Sequence, residues 1–255
     1  MIPEKFDGYA EPFASSAALF FWLRRQRGSF PAALIDRNEE LVNSYAVVRD
    51  RVDSLIPILE KLQARHGKRH YYSVRRQRPE SLSEMERAAR LIYLNKTCFN
   101  GLYRINSRGQ FNVPIGSYKN PRIYDETSLR AASAALSGVA VSCEDFAAVE
   151  DRMRAGDFVY LDPPYHPVSK TANFTAYALG SDGRASFGID EQRRLAETFK
   201  NLDRRSCYLM LSNSDSEQIR ELYRGYRIRL ASARRAINCD GAKRGMTTEI
   251  VITNY

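Results

Sequence analysis

The stretch FVYLDPPYHP, residues 158–167, joins a buried-looking strand to an acid, two prolines and a tyrosine. Its four apolar and aromatic residues predict a strand that ends at Asp162. Pro163 and Pro164 have a fixed φ and no amide hydrogen, so they end the hydrogen-bond ladder and keep the backbone extended. In open α/β sheets, ligands bind beyond the carboxyl ends of the strands. The stretch therefore predicts a ligand site at this strand end.

The residue types at this strand end suit a planar base that carries an exocyclic amino group. The Asp162 carboxylate and the Pro163 carbonyl are two acceptors for the two amine hydrogens. Tyr165 adds an aromatic face on which the base can stack. The alternative is a strand end closed by an ordinary turn, because proline and aspartate are common in turns. The tetrapeptide alone leaves both interpretations open.

The rest of the chain predicts an α/β fold with an insertion. GYAEPF (8–13) and AALID (32–36) are predicted strands, each followed by a helical pattern, as in a parallel sheet covered by helices. Residues 51–130 break this alternation with two or three helical patterns and a stretch rich in Gly, Asn and Tyr. Five strand patterns follow, at 139–146, 157–165, 207–215, 226–237 and 248–255. We predict one domain from residues 1–50 and 131–255, with residues 51–130 inserted into it.

The composition is that of a basic globular protein. The 255 residues carry a formal net charge of +9, and 44% of them are apolar. No apolar run approaches the ~20 residues of a membrane span, and the N-terminus lacks the basic and then apolar pattern of a secretory signal. We therefore expect an intracellular protein with no membrane partner.

Arginine clusters favour a polyanionic partner, most plausibly nucleic acid. They lie at residues 24–27, 65–78 and 234–244, although a solvated helix face explains any single cluster equally well. The four cysteines are far apart and form no CxxC pair, and only three histidines are present. We expect reduced thiols and no metal site.

Several segments resemble the Dam-type (D12 class) site-specific DNA adenine-N6 methyltransferases, in the order in which that family has them. The segments are EPF (11–13), LIDRNEELVNSY (34–45), LNKTCFNGLYRINSRGQFNVPIGSYKNP (94–121), DPPYHPVSKTANFTAY (162–177), LSNSD (211–215) and TEIVITNY (248–255). The resemblance covers nearly the whole chain. It implies a Rossmann-like AdoMet-dependent methyltransferase sheet with an inserted helical and β-hairpin DNA-recognition domain over residues 51–130.

The resemblance implies methyl transfer from S-adenosylmethionine (AdoMet) to N6 of an adenine in double-stranded DNA, by in-line displacement without a metal. Hydrogen bonds from the amine to Asp162 and to the Pro163 carbonyl would turn the nitrogen lone pair toward the methyl group. The implied catalytic residues are Asp162, Pro163, Pro164 and Tyr165. The adenine must be flipped out of the duplex, and the loop SKTANFTAY (169–177) is expected to close over it.

The resemblance also assigns a cofactor site. Asp36 matches the acid that binds the ribose hydroxyls, and Asp145 with Phe146 matches the place that holds the cofactor's adenine. The implied cofactor-binding residues are Glu11, Pro12, Phe13, Ala14, Ser15, Asp36, Asp145, Phe146 and Asp162. For Asp36 and Asp145 the alternative is a helix cap, which an acid at a strand end often forms.

The cofactor turn departs from the family pattern. Family members usually have FxGxG here, whereas this chain has FASSA, with Ser15 and Ala17 where glycines are expected. Added Cβ atoms would crowd the methionine end of the cofactor or disfavour a positive φ. The KWxGGK-like segment common in the family is also absent from this sequence. The alternative function is therefore a catalytically impaired DNA-binding member of the same family.

The inserted region is the candidate DNA reader. CFNGLYRINSRGQFNVP (98–114) resembles the family's β-hairpin, with NSRG as its turn. The implied DNA-binding residues are Phe99, Asn100, Leu102, Arg104, Asn112, Tyr118 and Lys119. Arg104 suits guanine O6 and N7, while Phe99 and Leu102 alternatively form the hairpin core.

The resemblance makes GATC the leading target site. N4-cytosine enzymes more often have a serine at the Asp162 position and glutamine-modifying enzymes an asparagine, so adenine is the favoured acceptor. The resemblance of the hairpin also disfavours an RNA substrate. We expect a monomer that associates with the nucleoid when bound to DNA, acting in a restriction system, in a genome's own methylation or in a phage.

Overall fold

The computed structural model describes residues 1–106, 108–167, 187–234 and 246–255, and in these ranges a twisted sheet is covered by helices. The strands are β1 (Tyr9–Glu11), β2 (Ala32–Asp36), β3 (Ala140–Cys143), β4 (Phe158–Leu161), β5 (Tyr208–Ser214), β6 (Arg227–Arg234) and β7 (Met246–Thr253). The helices are α1 (Ala18–Arg27), α2 (Glu39–Ala64), α3 (Lys68–Arg76), α4 (Glu84–Thr97), α5 (Glu126–Leu136), α6 (Ile189–Arg204) and α7 (Glu217–Leu222).

The sheet has the strand order β3-β2-β1-β4-β5-β7-β6. The first five strands in this order are parallel, and β7 runs antiparallel to both β5 and β6. After β1 the chain adds β2 and then β3 on one side of it, whereas β4 and then β5 are added on the other side. The direction in which strands are added therefore reverses between β1 and β4. This topology confirms the predicted α/β fold of Rossmann-like type, and it places the ligand crevice at the carboxyl ends of β1 and β4.

Both faces of the sheet are buried, as expected for parallel strands covered by helices. In β2, Ala33 and Ile35 pack into one core with Phe199 of α6, whereas Leu34 faces the opposite core with Phe20 of α1. The sequence AALID therefore gives a strand buried on both sides, with the bounds that the sequence predicts.

Helix α1 packs on the sheet through Phe20 and Leu23. Phe20 and Leu23 are fully buried, while Leu19 is only half-buried. The helix ends where Gly28 takes a φ of 75° and donates its amide to the Arg24 carbonyl at 3.0 Å. Glycine adopts this left-handed conformation without the steric penalty of a Cβ atom.

The inserted region has a core of its own. Tyr71, Tyr93, Leu94 and Phe111 are buried in a cluster separate from the two that flank the sheet. The predicted boundary between residues 50 and 51 falls inside α2, at the position where Arg51 leaves the helical conformation with a φ of −140°. The division into two domains stays a prediction.

The predicted β-hairpin of residues 98–114 is less regular than expected. Its arms meet in two isolated antiparallel bridges, Cys98 with Ile115 and Ile105 with Phe111. A turn is present, since the Gly109 amide donates to the Asn106 carbonyl at 2.9 Å. Asn100 takes a φ of 54° in the first arm and bends it away from an extended ladder. The chain thus reverses at the expected turn, and its two arms pair at isolated positions rather than in a continuous ladder.

Among the described residues, no helix combines the length and the apolarity that a bilayer crossing needs.

Three of the four cysteines lie in the described ranges: Cys98 and Cys207 are buried free thiols, and Cys143 is an exposed one. Cys239, the loop 169–177 and most of the arginine cluster 234–244 lie outside the described residues.

A buried arginine attaches α4 to α3. The Arg90 side chain is only 5% exposed and donates hydrogen bonds to the carbonyl oxygens of Val74 and Arg75, at 3.1 and 3.0 Å. Both carbonyls belong to the last turn of α3; that of Val74 also accepts the Gln77 amide at 3.2 Å, whereas Arg90 is the donor to that of Arg75 in the described part of the chain. The guanidinium therefore satisfies that helix end inside the fold.

We expect Arg90→Met to lower the free energy of unfolding by about 1–3 kcal/mol, because it leaves the Arg75 carbonyl without its donor and removes a second hydrogen bond to Val74. Urea unfolding followed by circular dichroism measures the change. Arg130→Met is the matched control, since Arg130 is an exposed partner of Asp53 and Glu126. Surface ion pairs contribute little, so equal losses in both variants would contradict the role of Arg90.

Candidate active site

Asp162 directly follows β4 and lies at the carboxyl edge of the sheet. Its side chain is exposed at the protein surface, while the protein atoms around it partly desolvate the carboxylate. This desolvation raises the pKa of Asp162 to about 6, and the charge of Glu249 adds to the shift while the hydroxyls of Tyr165 and Tyr160 oppose it. Asp162 is therefore ionised at neutral pH and is a better proton acceptor than an ordinary aspartate.

The two prolines hold the backbone beside this carboxylate. Pro163 is buried and Pro164 half-buried. The Pro164 carbonyl accepts a hydrogen bond from Nε2 of Gln192 at 2.9 Å. Within the described ranges, no protein donor is bonded to the Pro163 carbonyl. Two acceptors, the Asp162 carboxylate and the Pro163 carbonyl, thus stand next to each other along the chain.

Tyr165 is held at the tip of its ring. Its hydroxyl donates to Oε2 of Glu249 at 3.2 Å, and the side chain is half-buried. Glu249 lies on β7 opposite Ser214 of β5. The two residues are 84 positions apart in the sequence, so local sequence patterns do not predict Glu249 as the partner of Tyr165.

Glu11 is a buried acid at the end of β1. It is 2% exposed, and its Oε2 atom has no hydrogen-bond partner among the described residues. Burial raises the pKa of Glu11 to about 8, and the charge of Asp162 contributes to the same shift. Glu11 is therefore neutral at pH 7, so a buried acid and an ionised one lie at neighbouring strand ends.

The FASSA turn adopts left-handed conformations without glycine. Ser15 has a φ of 44° and Ala17 a φ of 47°. The Ser15 amide donates to Oδ2 of Asp36 at 3.0 Å, and the Tyr45 hydroxyl donates to the Ser15 carbonyl at 2.7 Å. The expectation that Cβ atoms would prevent a positive φ here is wrong, because tertiary hydrogen bonds hold the turn in that shape.

Asp36 is not the helix cap that the sequence left as an alternative. Asn38 caps α2, since its Oδ1 accepts from the amides of Glu40 and Leu41. The Asp36 oxygens instead accept the amides of Ser15 and Asn38, and burial raises the pKa of Asp36. Asp36 therefore joins the FASSA turn to the start of α2.

Asp145 does act as a cap, and its surroundings are already filled. Its Oδ1 accepts from the Ala147 amide at 3.0 Å at the start of a short 3-10 helix. Arg194 of α6 donates to Oδ2 of Asp145 at 2.6 Å, and its guanidinium lies 4.3 Å from the centroid of the Phe146 ring. Phe13 stacks on the same ring at 5.2 Å. An adenine placed between Asp145 and Phe146 requires Arg194 to move.

Five of the seven predicted DNA-binding residues are exposed on the inserted region, and Leu102 and Asn112 are half-buried. Phe99 is 43% exposed and Tyr118 47%, and Asn100 and Lys119 are exposed as well. Phe99 is therefore not hairpin core, whereas the half-buried Leu102 does pack against that core. No contact places this group against the strand-end site within the described residues.

Arg104 and Asn112, both predicted to bind DNA, face each other across the irregular hairpin. Arg104 Nε donates to Oδ1 of Asn112 at 2.7 Å, and the Asn112 amide donates to the Arg104 carbonyl at 3.0 Å. The Arg104 side chain is exposed. The asparagine thus binds the Nε side of an exposed guanidinium.

Sequence comparison places these features in a family. The model of the D12 class N6 adenine-specific DNA methyltransferases matches residues 1–237. A type II methyltransferase of Lactococcus lactis subsp. cremoris is 40% identical over 100% of this chain and 89% of its own length. A type II methyltransferase of Methanocaldococcus jannaschii is 41% identical over 97% of this chain and 88% of its own. The DNA adenine methylase of Escherichia coli K12 is 32% identical over 94% and 84%, respectively.

We expect Glu11→Gln to flatten the dependence of stability on pH. Glu11 keeps its proton in the folded chain up to about pH 8, whereas an unfolded glutamate loses it near pH ~4.3. Between these values the unfolded state binds fewer protons, so the free energy of unfolding falls as pH rises, by up to about 1.4 kcal/mol per pH unit. The glutamine variant lacks this loss. Urea unfolding from pH 5 to 8 tests the prediction, and parallel curves for the two proteins would refute it.

Proposed function

Because this chain belongs to the D12 class of N6 adenine-specific DNA methyltransferases, we propose that it methylates N6 of an adenine extruded from double-stranded DNA. The observation that carries the proposal is the strand end after β4. There an accessible Asp162 carboxylate adjoins the Pro163 carbonyl, which has no donor among the described residues. Two acceptors match the two hydrogens of an exocyclic amine, and Tyr165 offers a face for the ring.

The residues of the strand end activate the amine. An adenine N6 amine is a poor nucleophile because its lone pair is delocalised into the ring. Hydrogen bonds to Asp162 and to the Pro163 carbonyl favour a tetrahedral nitrogen with a localised lone pair. Asp162 and the Pro163 carbonyl would hold the amine with this lone pair toward the sulfonium methyl group that a bound AdoMet would supply. The nitrogen then gives up one proton, which Asp162 accepts directly or passes to water.

AdoMet supplies the methyl group as a sulfonium when it is bound. The unpartnered buried oxygen of Glu11 fits a ligand that brings a hydrogen-bond donor to the end of β1. We propose that Glu11, Pro12, Phe13, Ala14 and Ser15 surround the methionine portion and that Asp36 binds the ribose hydroxyls. Asp145 and Phe146 hold the adenine once Arg194 has moved aside.

The exposed group on the inserted region is the proposed DNA contact. Phe99 and Asn100 enter or border the duplex beside the extruded base, and Leu102 and Arg104 contact base edges. Asn112 orients Arg104, and Tyr118 with Lys119 contacts the backbone. GATC is the proposed target site, because the hairpin region resembles that of the Dam-type enzymes, and Arg104 would contact O6 and N7 of its guanine.

The second candidate is a DNA-binding member of the family without catalysis, which the glycine-free turn favours. The left-handed conformations of Ser15 and Ala17 support the active enzyme instead, since the turn keeps the shape that glycine usually provides. Calorimetric titration with AdoMet separates the candidates. Heat of binding supports the enzyme, and no uptake at millimolar cofactor eliminates it.

We expect Asp162→Ala to lower the rate of methyl transfer to duplex DNA by about 10²-fold or more, because it removes the amine acceptor. DNA affinity should stay close to that of the wild type. Transfer of a tritiated methyl group under single-turnover conditions measures the rate. Asp50→Ala, which changes an exposed acid on α2, is the control. Near-normal turnover in the Asp162 variant would show that the carboxylate is not the acceptor.

We expect Arg104→Ala to relax sequence preference, with a loss of about 1–3 kcal/mol of discrimination at one base pair. Lys119→Ala is the comparison, since a phosphate contact weakens binding on all duplexes and reduces its salt dependence. Sequencing N6-methyladenine in the genome of a methylation-deficient host that expresses each variant reports the target motif. Uniform weakening on every duplex would instead make Arg104 a phosphate contact.

A further inference from the structure

Two buried amide side chains lie behind the proposed active site. Gln192 is in the first turn of α6 and Asn213 is near the end of β5, and both are fully buried. Asn213 Nδ2 donates to Gln192 Oε1 at 3.1 Å. Burying an amide is unfavourable unless it is hydrogen-bonded, so the partners of these two groups indicate what the pair does.

The backbone fixes the orientation of both amides. Asn213 Oδ1 accepts the amide of His166 at 3.1 Å and that of Ser214 at 2.8 Å, so this atom must be the oxygen. Its Nδ2 group therefore faces Gln192 Oε1, and Gln192 Nε2 is left to donate to the Pro164 carbonyl at 2.9 Å. The three hydrogen bonds that link His166, Asn213, Gln192 and Pro164 therefore all run, donor to acceptor, from His166 toward Pro164.

These bonds hold the two peptide groups that flank Tyr165. Gln192 binds the carbonyl of the peptide group before it, and Asn213 binds the amide of the peptide group after it. Ser214 Oγ also donates to the His166 carbonyl at 2.6 Å. With both neighbouring peptide planes fixed, the φ and ψ of Tyr165 are fixed, and the ring leaves the backbone in one direction.

The opposite end of the Tyr165 ring is fixed as well, by its hydroxyl bond to Glu249. Pro163 and Pro164 add a locked φ on the side toward Asp162. A short segment with little conformational freedom therefore connects the ring of Tyr165 to the two amine acceptors, Asp162 and the Pro163 carbonyl. A base that stacks on the ring meets Asp162 in a set geometry, which is what positioning requires.

We infer that Gln192 and Asn213 are positioning residues, which orient Tyr165 and the adjoining acceptors toward the extruded adenine through the Pro164 carbonyl and the His166 amide. The inference rests on the proposed function and adds two residues to its site. Neither side chain touches the substrate. The competing explanation is that the pair only satisfies buried polar groups and stabilises the fold.

The experiment compares two substitutions of Gln192. Gln192→Met keeps the length of the side chain and removes both hydrogen bonds. Gln192→Glu stays neutral when buried, and its carboxylic acid can accept from Asn213 and donate to Pro164. Thr198→Val is the control, since Thr198 is also buried in α6 but makes no contact with residues 162–167.

Single-turnover methyl transfer, AdoMet affinity and DNA affinity are measured for each variant, with thermal unfolding as the check on folding. We expect the methionine variant to lose roughly tenfold to a hundredfold in the single-turnover rate constant, the scale of misplacing a reacting group. Both affinities should remain near wild type, and the glutamate variant should recover most of the rate. A duplex with 2-aminopurine at the target position should fluoresce differently with the methionine variant than with the wild type.

Three results would overturn the inference. The first is a folded methionine variant with the wild-type rate constant, and the second is an equal loss in the methionine and glutamate variants. The third is a methionine variant that fails to fold while Thr198→Val folds, which would assign the pair to core stability. If the wild-type chain transfers no methyl group, the proposed function fails, and the 2-aminopurine comparison still tests the orientation of Tyr165.

Discussion

The pairing of β1 with β4 is the constraint on which the rest of the site depends. Tyr9 pairs with Phe158 and Ala10 with Val159, although β1 and β4 are far apart in the sequence, with β2, the inserted region and β3 between them. Because the strands are parallel, their carboxyl ends share one edge of the sheet. A shift of one residue in this register would turn every side chain of β4 to the other face. It would also move Asp162 away from the end of β1.

That register brings acidic groups together at one edge of the sheet. Burial is the main cause that raises the pKa of Glu11 and of Asp162, and the charges of Asp162 and Glu249, respectively, add to the two shifts. Glu11 is therefore neutral and Asp162 ionised at pH 7. A positively charged sulfonium beside such acids would favour their ionised forms. The site is therefore better suited to a cationic ligand than to an anionic one.

The sequence predicts those features that depend on nearby residues. β2 has the predicted bounds, and Asp162 follows its strand because apolar residues and prolines define that strand locally. Contacts between distant segments could not be predicted: Gln192 meets Pro164 across 28 residues, and Glu249 meets Tyr165 across 84. The available signal for Gln192 is its place in the apolar pattern of α6, three, four and seven residues before Leu195, Ala196 and Phe199. The local pattern of the hairpin likewise does not reveal the left-handed Asn100.

The FASSA turn shows that this chain holds two left-handed backbone conformations without glycine. A left-handed conformation costs a non-glycine residue roughly 1–2 kcal/mol, and Ser15 and Ala17 both adopt one. Hydrogen bonds from the Ser15 amide to Asp36, from Tyr45 to the Ser15 carbonyl and from the Ala14 amide to the Ile35 carbonyl oppose this penalty. Each contributes on the order of 1 kcal/mol. The turn's shape is thus set by its contacts with β2 and α2, and the Cβ atoms are accommodated within it.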